Sequence, residues 1–301
     1  MAALTSGDVG LRQEPSSGSG LNDARLGVVG TGAMAEAMVA GLLRRQLIAP
    51  SQVICSHPRK ARRDQLSAEL TVQVTDSNVA ASAGADVVIL AVKPQVLARV
   101  MPELAGGIAP GALVVSIVAG ATTAVLSRGL QHPAIVRAMP NTPAQIGSGI
   151  TVWYGTAEVN DRGVATTRQL LSALGQEFQV GDESLVAMAT AVSGTGPTYT
   201  FLFLEAMIDA AVHLGFARHV ARRLVVGTVL GSAEFAAQSD RHVAELRDMV
   251  TSPGGTSAAA LAQLERGRFR TVVGDAVWAA YSRTLELEAR LSDSTVSSDG
   301  A

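Results

Sequence analysis

The chain has 301 residues, 48% hydrophobic and 17% charged, with a formal net charge of −2, enough apolar material for one large or two medium domains with real cores. Aromatics at 4% and the lack of a long basic run argue against nucleic acid as a partner, and no apolar run approaches the ~18 residues that suggest a membrane span. A single cysteine, Cys55, cannot close an internal disulfide; a reducing, cytoplasmic setting fits, and a structural metal site does not.

Residues 1–24 are polar and rich in Gly and Ser, as in Pro15-Ser16-Ser17-Gly18-Ser19-Gly20. With neither a basic start nor an apolar segment, they read as a disordered lead-in and not as a secretory signal. A short apolar strand is expected over 26–29, then Gly30-Thr31-Gly32-Ala33-Met34-Ala35, then a helix over 37–45 with Met38, Leu42 and Leu43 on one face. Gly30-x-Gly32-x-x-Ala35 between strand and helix is a dinucleotide fingerprint. The first glycine makes the turn, the second lets backbone approach a pyrophosphate, and Ala35 keeps helix and strand close.

A second strand is expected over 53–56, followed by a charged helix over 59–69. An NAD site places an acid at the end of this strand to hold the ribose 2′-hydroxyl. Here the chain reads Ser56-His57-Pro58-Arg59-Lys60, with Arg62 and Arg63 behind and no acid before Asp64. A hydroxyl with cations suits a 2′-phosphate, so NADPH is favoured, with NADH still able to serve.

Further strands are expected over 71–74, 86–92, 112–118 and 134–137, and over 149–154 and 177–180 on either side of a helix at 162–174. This alternation predicts an α/β Rossmann domain over 25–182, a doubly wound and mostly parallel sheet. Ala91-Val92-Lys93-Pro94, Val118-Ala119-Gly120 and Arg137-Ala138-Met139-Pro140-Asn141-Thr142-Pro143 all stand at strand carboxyl ends, where ligands of such sheets sit.

After residue 182 the strand pattern stops. Helices are expected over 199–214, 220–237, 258–265 and 271–291, several of them apolar nearly all round, as at 224–231. Such helices need burial on more than one side, which predicts an all-α dimerisation domain over 183–291. Gly227, Gly231 and Ala233 permit close helix contact; a self-contained bundle is the alternative. Residues 292–301 read as a disordered polar tail.

Between two of these helices lies Ser252-Pro253-Gly254-Gly255-Thr256-Ser257. Pro253 ends the preceding helix, the glycines leave backbone N–H groups approachable, and Thr256 or Ser257 can cap the next helix. The same turn is an anion cradle at a helix N-terminus, suited to a substrate carboxylate.

Together with Ser193-Gly194-Thr195-Gly196-Pro197-Thr198-Tyr199, these segments, in this order from about residue 25 to 290, resemble the pyrroline-5-carboxylate reductase family. The resemblance implies a Rossmann domain and a helical domain that dimerises by interlocking, with dimers that commonly assemble into decamers. It implies an active site between one subunit's cofactor and helices partly supplied by its partner. The reaction implied is reduction of a cyclic imino acid, 1-pyrroline-5-carboxylate, to L-proline by NAD(P)H. It assigns Val29, Gly30, Thr31, Gly32, Ala33 and Met34 to the pyrophosphate, and Ser56, with Arg59 and Lys60, to the adenosine ribose. Asn78 matches a cofactor contact; Ala91, Val92, Lys93, Pro94, Val118, Ala119 and Gly120 line the nicotinamide half. Glu183 matches an acid near the substrate, and Ser252, Gly255, Thr256 and Ser257 the turn that holds the carboxylate and ring nitrogen.

Four positions depart from the family pattern: Thr195 and Thr198 replace Ser and Ala, Ala187 replaces an acid, and Ser257 replaces Thr. Ser257 keeps the hydroxyl but lacks the methyl group that would hold it in one rotamer. The expected division of labour gives the carboxylate to the Gly255 and Thr256 N–H groups. Ser257 is the catalytic candidate, hydrogen-bonded to the ring nitrogen; the alternative is that it only caps the helix and solvent supplies the proton. Tyr199 reads as packing against the partner, and His213 and His219 as cap or surface residues near Gly215. A β-hydroxyacid dehydrogenase would need a Lys in the helical domain, whereas the last Lys in the chain is Lys93. An imine reductase of other scope and a non-catalytic NADP-binding regulator are the remaining alternatives.

Overall fold

The computed structural model describes Leu21 and residues 23–296, with side chains described as far as residue 293. One eight-stranded sheet organises the first part of the chain, built from β1 (Leu26–Val29), β2 (Val53–Ser56), β3 (Gln73–Thr75), β4 (Val87–Leu90), β5 (Leu113–Ser116), β6 (Ile135–Met139), β7 (Gly149–Gly155) and β8 (Gly175–Gln179). Their order across the sheet is β3-β2-β1-β4-β5-β6-β7-β8. All neighbours are parallel except β6 and β7. Only residues 140–148 join β6 to β7, too few for a parallel crossover, so the chain turns straight back.

Helices α1 (Ala33–Arg44), α2 (Lys60–Leu70), α3 (Asn78–Ser82), α4 (Pro94–Leu104), α5 (Thr123–Leu130) and α6 (Asp161–Ser172) cover the sheet. Successive residues of the central strands feed opposite layers. Val28, Ile89 and Val115 join Met38, Leu42 and Trp153 on one face. Val29, Leu90 and Val114 join Leu97, Met101 and Leu126 on the other. Burial on both faces is why these strands read as unbroken apolar runs. The chain leaves β1 to one side for β2 and returns on the other side as β4, so the carboxyl ends of β1 and β4 form the switch point where a ligand crevice opens. Cys55 is fully buried in this core, and burial pushes its thiol up to about 11, which makes it inert.

Both expected disordered ends need correction. Leu21 is fully buried in the first layer, its N–H donates to Gln169 Oε1 (3.1 Å), and Gln52 Nε2 donates to Ala24 O (2.9 Å). The lead-in therefore joins the core before residue 25, because one leucine finds an apolar slot; residues 1–20 and 22 lie outside the described residues. At the other end the last helix continues to Val296, past residue 291, and 297–301 lie outside the described residues.

The rest of the chain is helical: α7 (Ser184–Ala189), a π-helical turn (Thr190–Gly194), α8 (Gly196–His213), α9 (Arg218–Ala237), α10 (Val243–Met249), α11 (Thr256–Arg266) and α12 (Phe269–Val296). These helices enclose almost no core of their own. No residue of α8, α10 or α11 is buried, and Leu202, Leu230 and Trp278 are 65%, 57% and 68% exposed. A self-contained bundle would hide such side chains, so this region is built to be covered by another copy. Helix α7 packs on β6 and β7, and beyond it the later part of α12 comes back to the nucleotide-binding domain, where Leu291 enters the second layer. Among the described residues no helix is long and apolar enough to cross a membrane.

Candidate active site

The fingerprint turn divides its work between residues. Gly30 has φ +85°, and a Cβ there would lie 2.5 Å from Val92 Cγ1 and 2.9 Å from Val92 N. Glycine is required at that point by both conformation and space. Gly32 has nothing within 4 Å of a built Cβ, so its backbone is open to an approaching group. It also heads α1 with no side-chain cap, which leaves the first N–H groups of that helix available to an anion. Ala33 is exposed and Met34 half-buried beside it. Thr31 is turned inward: fully buried, it donates from both N (3.1 Å) and Oγ1 (3.2 Å) to Ser56 O. Val29 likewise lies in the core. Both bring backbone, not side chain, to the crevice.

The family resemblance puts Ser56 beside the adenosine ribose. The structure buries it and commits its hydroxyl, which accepts from Gly30 N–H (3.2 Å) and donates to Asn78 Oδ1 (2.8 Å). Asn78 in turn donates from Nδ2 to Glu103 Oε2 (2.9 Å). Ser56 and Asn78 thus brace the glycine turn from behind, and Glu103 belongs to this chain of bonds although no sequence signal marks it.

The cations beyond Ser56 also differ. Arg62 pairs with Glu36 of α1 (2.5 Å), Arg63 donates to His57 O and Pro58 O (both 2.8 Å), and Lys60 pairs with Asp64 (2.8 Å) in full solvent. Arg59, exposed at the start of α2, has no ion pair among the described residues and is the cation free to meet an incoming phosphate. His57 stands against this group. Partial burial and the neighbouring arginines hold its pKa below the ordinary value, and its Nδ1 accepts from Arg59 N–H (3.2 Å).

At the far end of the crevice, Lys93 is the exposed N-cap residue of α4 and Pro94 opens that helix. Ala91 and Val92 are half-buried, and Ala91 N–H donates to Val29 O (2.9 Å), which ties this strand end to the fingerprint. Val118 is in the core, Ala119 is half-buried, and Gly120, with φ +77°, lies under α12, where a Cβ would come within 3.0 Å of Leu287 Cβ.

Glu183 is not a free acid. Its Oε1 accepts from Thr123 N–H (2.7 Å) and Arg137 Nη1 (3.1 Å), and its Oε2 from Thr123 Oγ1 (2.6 Å). Arg137 is almost fully buried and also donates to Glu288 Oε1 of α12 (2.5 Å). The one trace of this in the sequence is an arginine in an otherwise apolar strand, Ala134-Ile135-Val136-Arg137; nothing near Glu288 marks it out. Asn141 bridges from the same strand end, donating to Ser193 O (3.1 Å) and accepting from Ile150 N–H (3.0 Å).

In the turn before α11, Gly254 has φ +73°, and a Cβ on Gly255 would lie 2.5 Å from Ser252 Oγ. Gly255 N–H donates to Ser252 O (3.0 Å), so the expected carboxylate donor at Gly255 is already used by the turn. The expected cap is also absent: Gly255 occupies the N-cap position, and neither Thr256 nor Ser257 caps α11. Ala259 is the first residue to close a helical bond, on Gly255 O (3.2 Å). The N–H groups of Thr256, Ser257 and Ala258 therefore face outward. The Thr256 hydroxyl is exposed and that of Ser257 half-buried, and neither is committed among the described residues. Helix α11 packs chiefly on α12 and not on the chain's own nucleotide-binding domain.

Comparison with known proteins agrees with both halves of this geometry. Residues 183–287 match the family model for pyrroline-5-carboxylate reductase dimerisation, and residues 25–120 that for NADP oxidoreductase, coenzyme F420-dependent. The chain is 43% identical over 263 residues to the pyrroline-5-carboxylate reductase of Synechocystis sp., covering 87% of this chain and 98% of that protein. It is 40% identical to that of Pseudomonas aeruginosa over 272 residues, covering 90% and 99%. Among solved structures it is similar to Plasmodium falciparum pyrroline carboxylate reductase with NADP bound, at a TM-score of 0.83 and 30% identity, covering 89% of this chain and 100% of that one.

Proposed function

The chain belongs to the pyrroline-5-carboxylate reductase family, and we propose that it reduces 1-pyrroline-5-carboxylate to L-proline with NADPH, the last step of proline biosynthesis. The observation that carries this reading is the start of α11: three outward N–H groups and two uncommitted hydroxyls behind a Gly254-Gly255 turn. That arrangement offers a small anion several donors and the positive end of a helix dipole.

NADPH supplies the hydride. The chain's own residues bind and orient. The uncapped start of α1 and the open backbone at Gly32 suit a pyrophosphate, with Gly30, Thr31, Ala33 and Met34 shaping the turn. Arg59 pairs with the 2′-phosphate, and Lys60 joins it by releasing its solvent-exposed partner Asp64. NADH lacks that phosphate and is the poorer partner. Ala91 to Pro94 and Val118 to Gly120 border the nicotinamide end.

On the substrate side, the N–H groups of Thr256, Ser257 and Ala258 hold the carboxylate. The Ser257 hydroxyl hydrogen-bonds to the ring nitrogen and orients it, and one solvent proton reaches the nitrogen through that hydroxyl, so that carbon takes the hydride and nitrogen ends as an amine. Holding the ring in line is worth several kcal/mol through orientation alone. Since α11 lies on α12, the reading places the turn of one subunit over the crevice of its partner. It includes the assembly of dimers into a decamer, and a cytoplasmic location, supported by the unpaired Cys55.

The test is NADPH oxidation with 1-pyrroline-5-carboxylate by wild type and Ser257→Ala. Loss of one charge-assisted hydrogen bond should lower kcat/KM about tenfold or more. An unchanged value would remove Ser257 from the transition state, and no turnover by wild type would overturn the reading.

A further inference from the structure

The most constrained polar group outside the binding turns is the cluster of Arg137, Glu183, Glu288 and Thr123. Arg137 is 4% exposed in its side chain, Glu183 23% and Glu288 18%. Four separate elements meet there. Arg137 comes from β6, Thr123 from the first turn of α5, Glu183 from the residue preceding α7, and Glu288 from the end of α12. The guanidinium forks between two carboxylates, and Glu183 takes both the backbone N–H and the hydroxyl of Thr123. Three residues back from Thr123, Gly120 lies under Leu287, with a built Cβ 3.3 Å from Leu287 C and 3.4 Å from Glu288 N. Segment 118–123 is thus gripped twice by one ion-paired unit: from above by the backbone at 287–288, and from the side through Glu183.

We infer that Glu288, acting through Arg137 and Glu183, is a positioning residue that fixes segment 118–123 and with it the nicotinamide end of the crevice. The inference rests on the reading that this segment borders the nicotinamide, and it adds a function for α12. The helix that carries α11 is bolted by its far end to the cofactor-side loop, so the two halves of the site share one rigid strut. A buried arginine that loses one of two carboxylates keeps the other, so Glu288→Ala loosens the grip without stranding an unpaired charge.

The experiment uses the full-length oligomer of Glu288→Ala, Glu288→Gln and wild type. In nucleotide-free protein, amide hydrogen exchange at 119–126 should quicken at least about tenfold in Glu288→Ala while exchange at 30–36 stays unchanged. In turnover, kcat should fall about tenfold with KM for NADPH within about threefold, since a small misplacement costs rate more than binding. Glu288→Gln keeps an oxygen for Arg137 Nη2 and should restore most of kcat. Unchanged exchange at 119–126, unchanged kcat, or a Gln variant as impaired as the Ala variant would overturn the proposal. If Glu288→Ala does not fold, Thr123→Val removes one donor from Glu183 and should move exchange and kcat the same way by less; no movement would overturn it equally. A wild type inactive on 1-pyrroline-5-carboxylate would sink the functional reading, and the exchange measurement would then decide the clamp by itself.

Discussion

Gly30 and Gly32 stand two residues apart and answer to different constraints. At Gly30 the backbone is left-handed and a methyl group would strike Val92; at Gly32 it would meet nothing. Gly30→Ala should therefore destabilise the fold by about 2 kcal/mol or more, read as a lowered Tm. Gly32→Ala should leave Tm unchanged and raise KM for NADPH, since the methyl occupies the approach to the backbone. Equal effects of the two on Tm would contradict this division. Arg59 acts at the same scale. As the one cation of the 59–63 cluster that no ion pair among the described residues holds, it should carry cofactor selectivity. Arg59→Ala should raise KM for NADPH about tenfold and leave KM for NADH near its original value; parallel changes in both would remove the 2′-phosphate contact. The sequence points to the cationic cluster but cannot rank its members, because which arginine is spent on Glu36 or on carbonyls depends on where α1 and α2 meet.

At the scale of elements, the central strands are legible because burial on both faces demands unbroken apolar runs, and β1, β4 and β5 lie inside the expected segments, with β6 running two residues past its own. Short elements are not. Helix α3 has five residues and α10 seven, too few for a periodic pattern to accumulate. The turn at 252–257 is legible in type and misleading in detail. Its composition allows a hydroxyl cap, but the fold gives the cap position to Gly255 and leaves both hydroxyls without a capping bond. The contact between α12 and Gly120 is beyond reach of local pattern, as it joins residues more than 160 apart in the chain. Gly120→Ala should cost about 1–3 kcal/mol, from positive φ and from the 3.0 Å approach to Leu287. Thermal unfolding decides it: an unshifted Tm would mean that α12 does not sit on this loop in solution.

For the whole molecule, the open helical region sets the expectation. Phe201, Leu202, Leu230, Phe235 and Trp278 are each more than half exposed, far beyond what a solitary chain leaves uncovered. The protein should sediment at an even multiple of 30.9 kDa, with no monomer at micromolar concentration. Leu202→Lys should dissociate it and abolish turnover, because the substrate turn then has no partner crevice to close. A fully active monomer would contradict that arrangement. The mostly parallel sheet, the nucleotide turn, the cationic strand end and the helices' need of a partner are legible from the chain alone, because each is written in residues close along it or in composition. Which cation of the 59–63 cluster is free, the use of Ser56 and Glu183 inside the fold and the reach of Glu288 to Arg137 emerge from packing. Those outcomes depend on which distant donors and acceptors come together, and hydrogen-bond partners are assigned by packing, not by spacing.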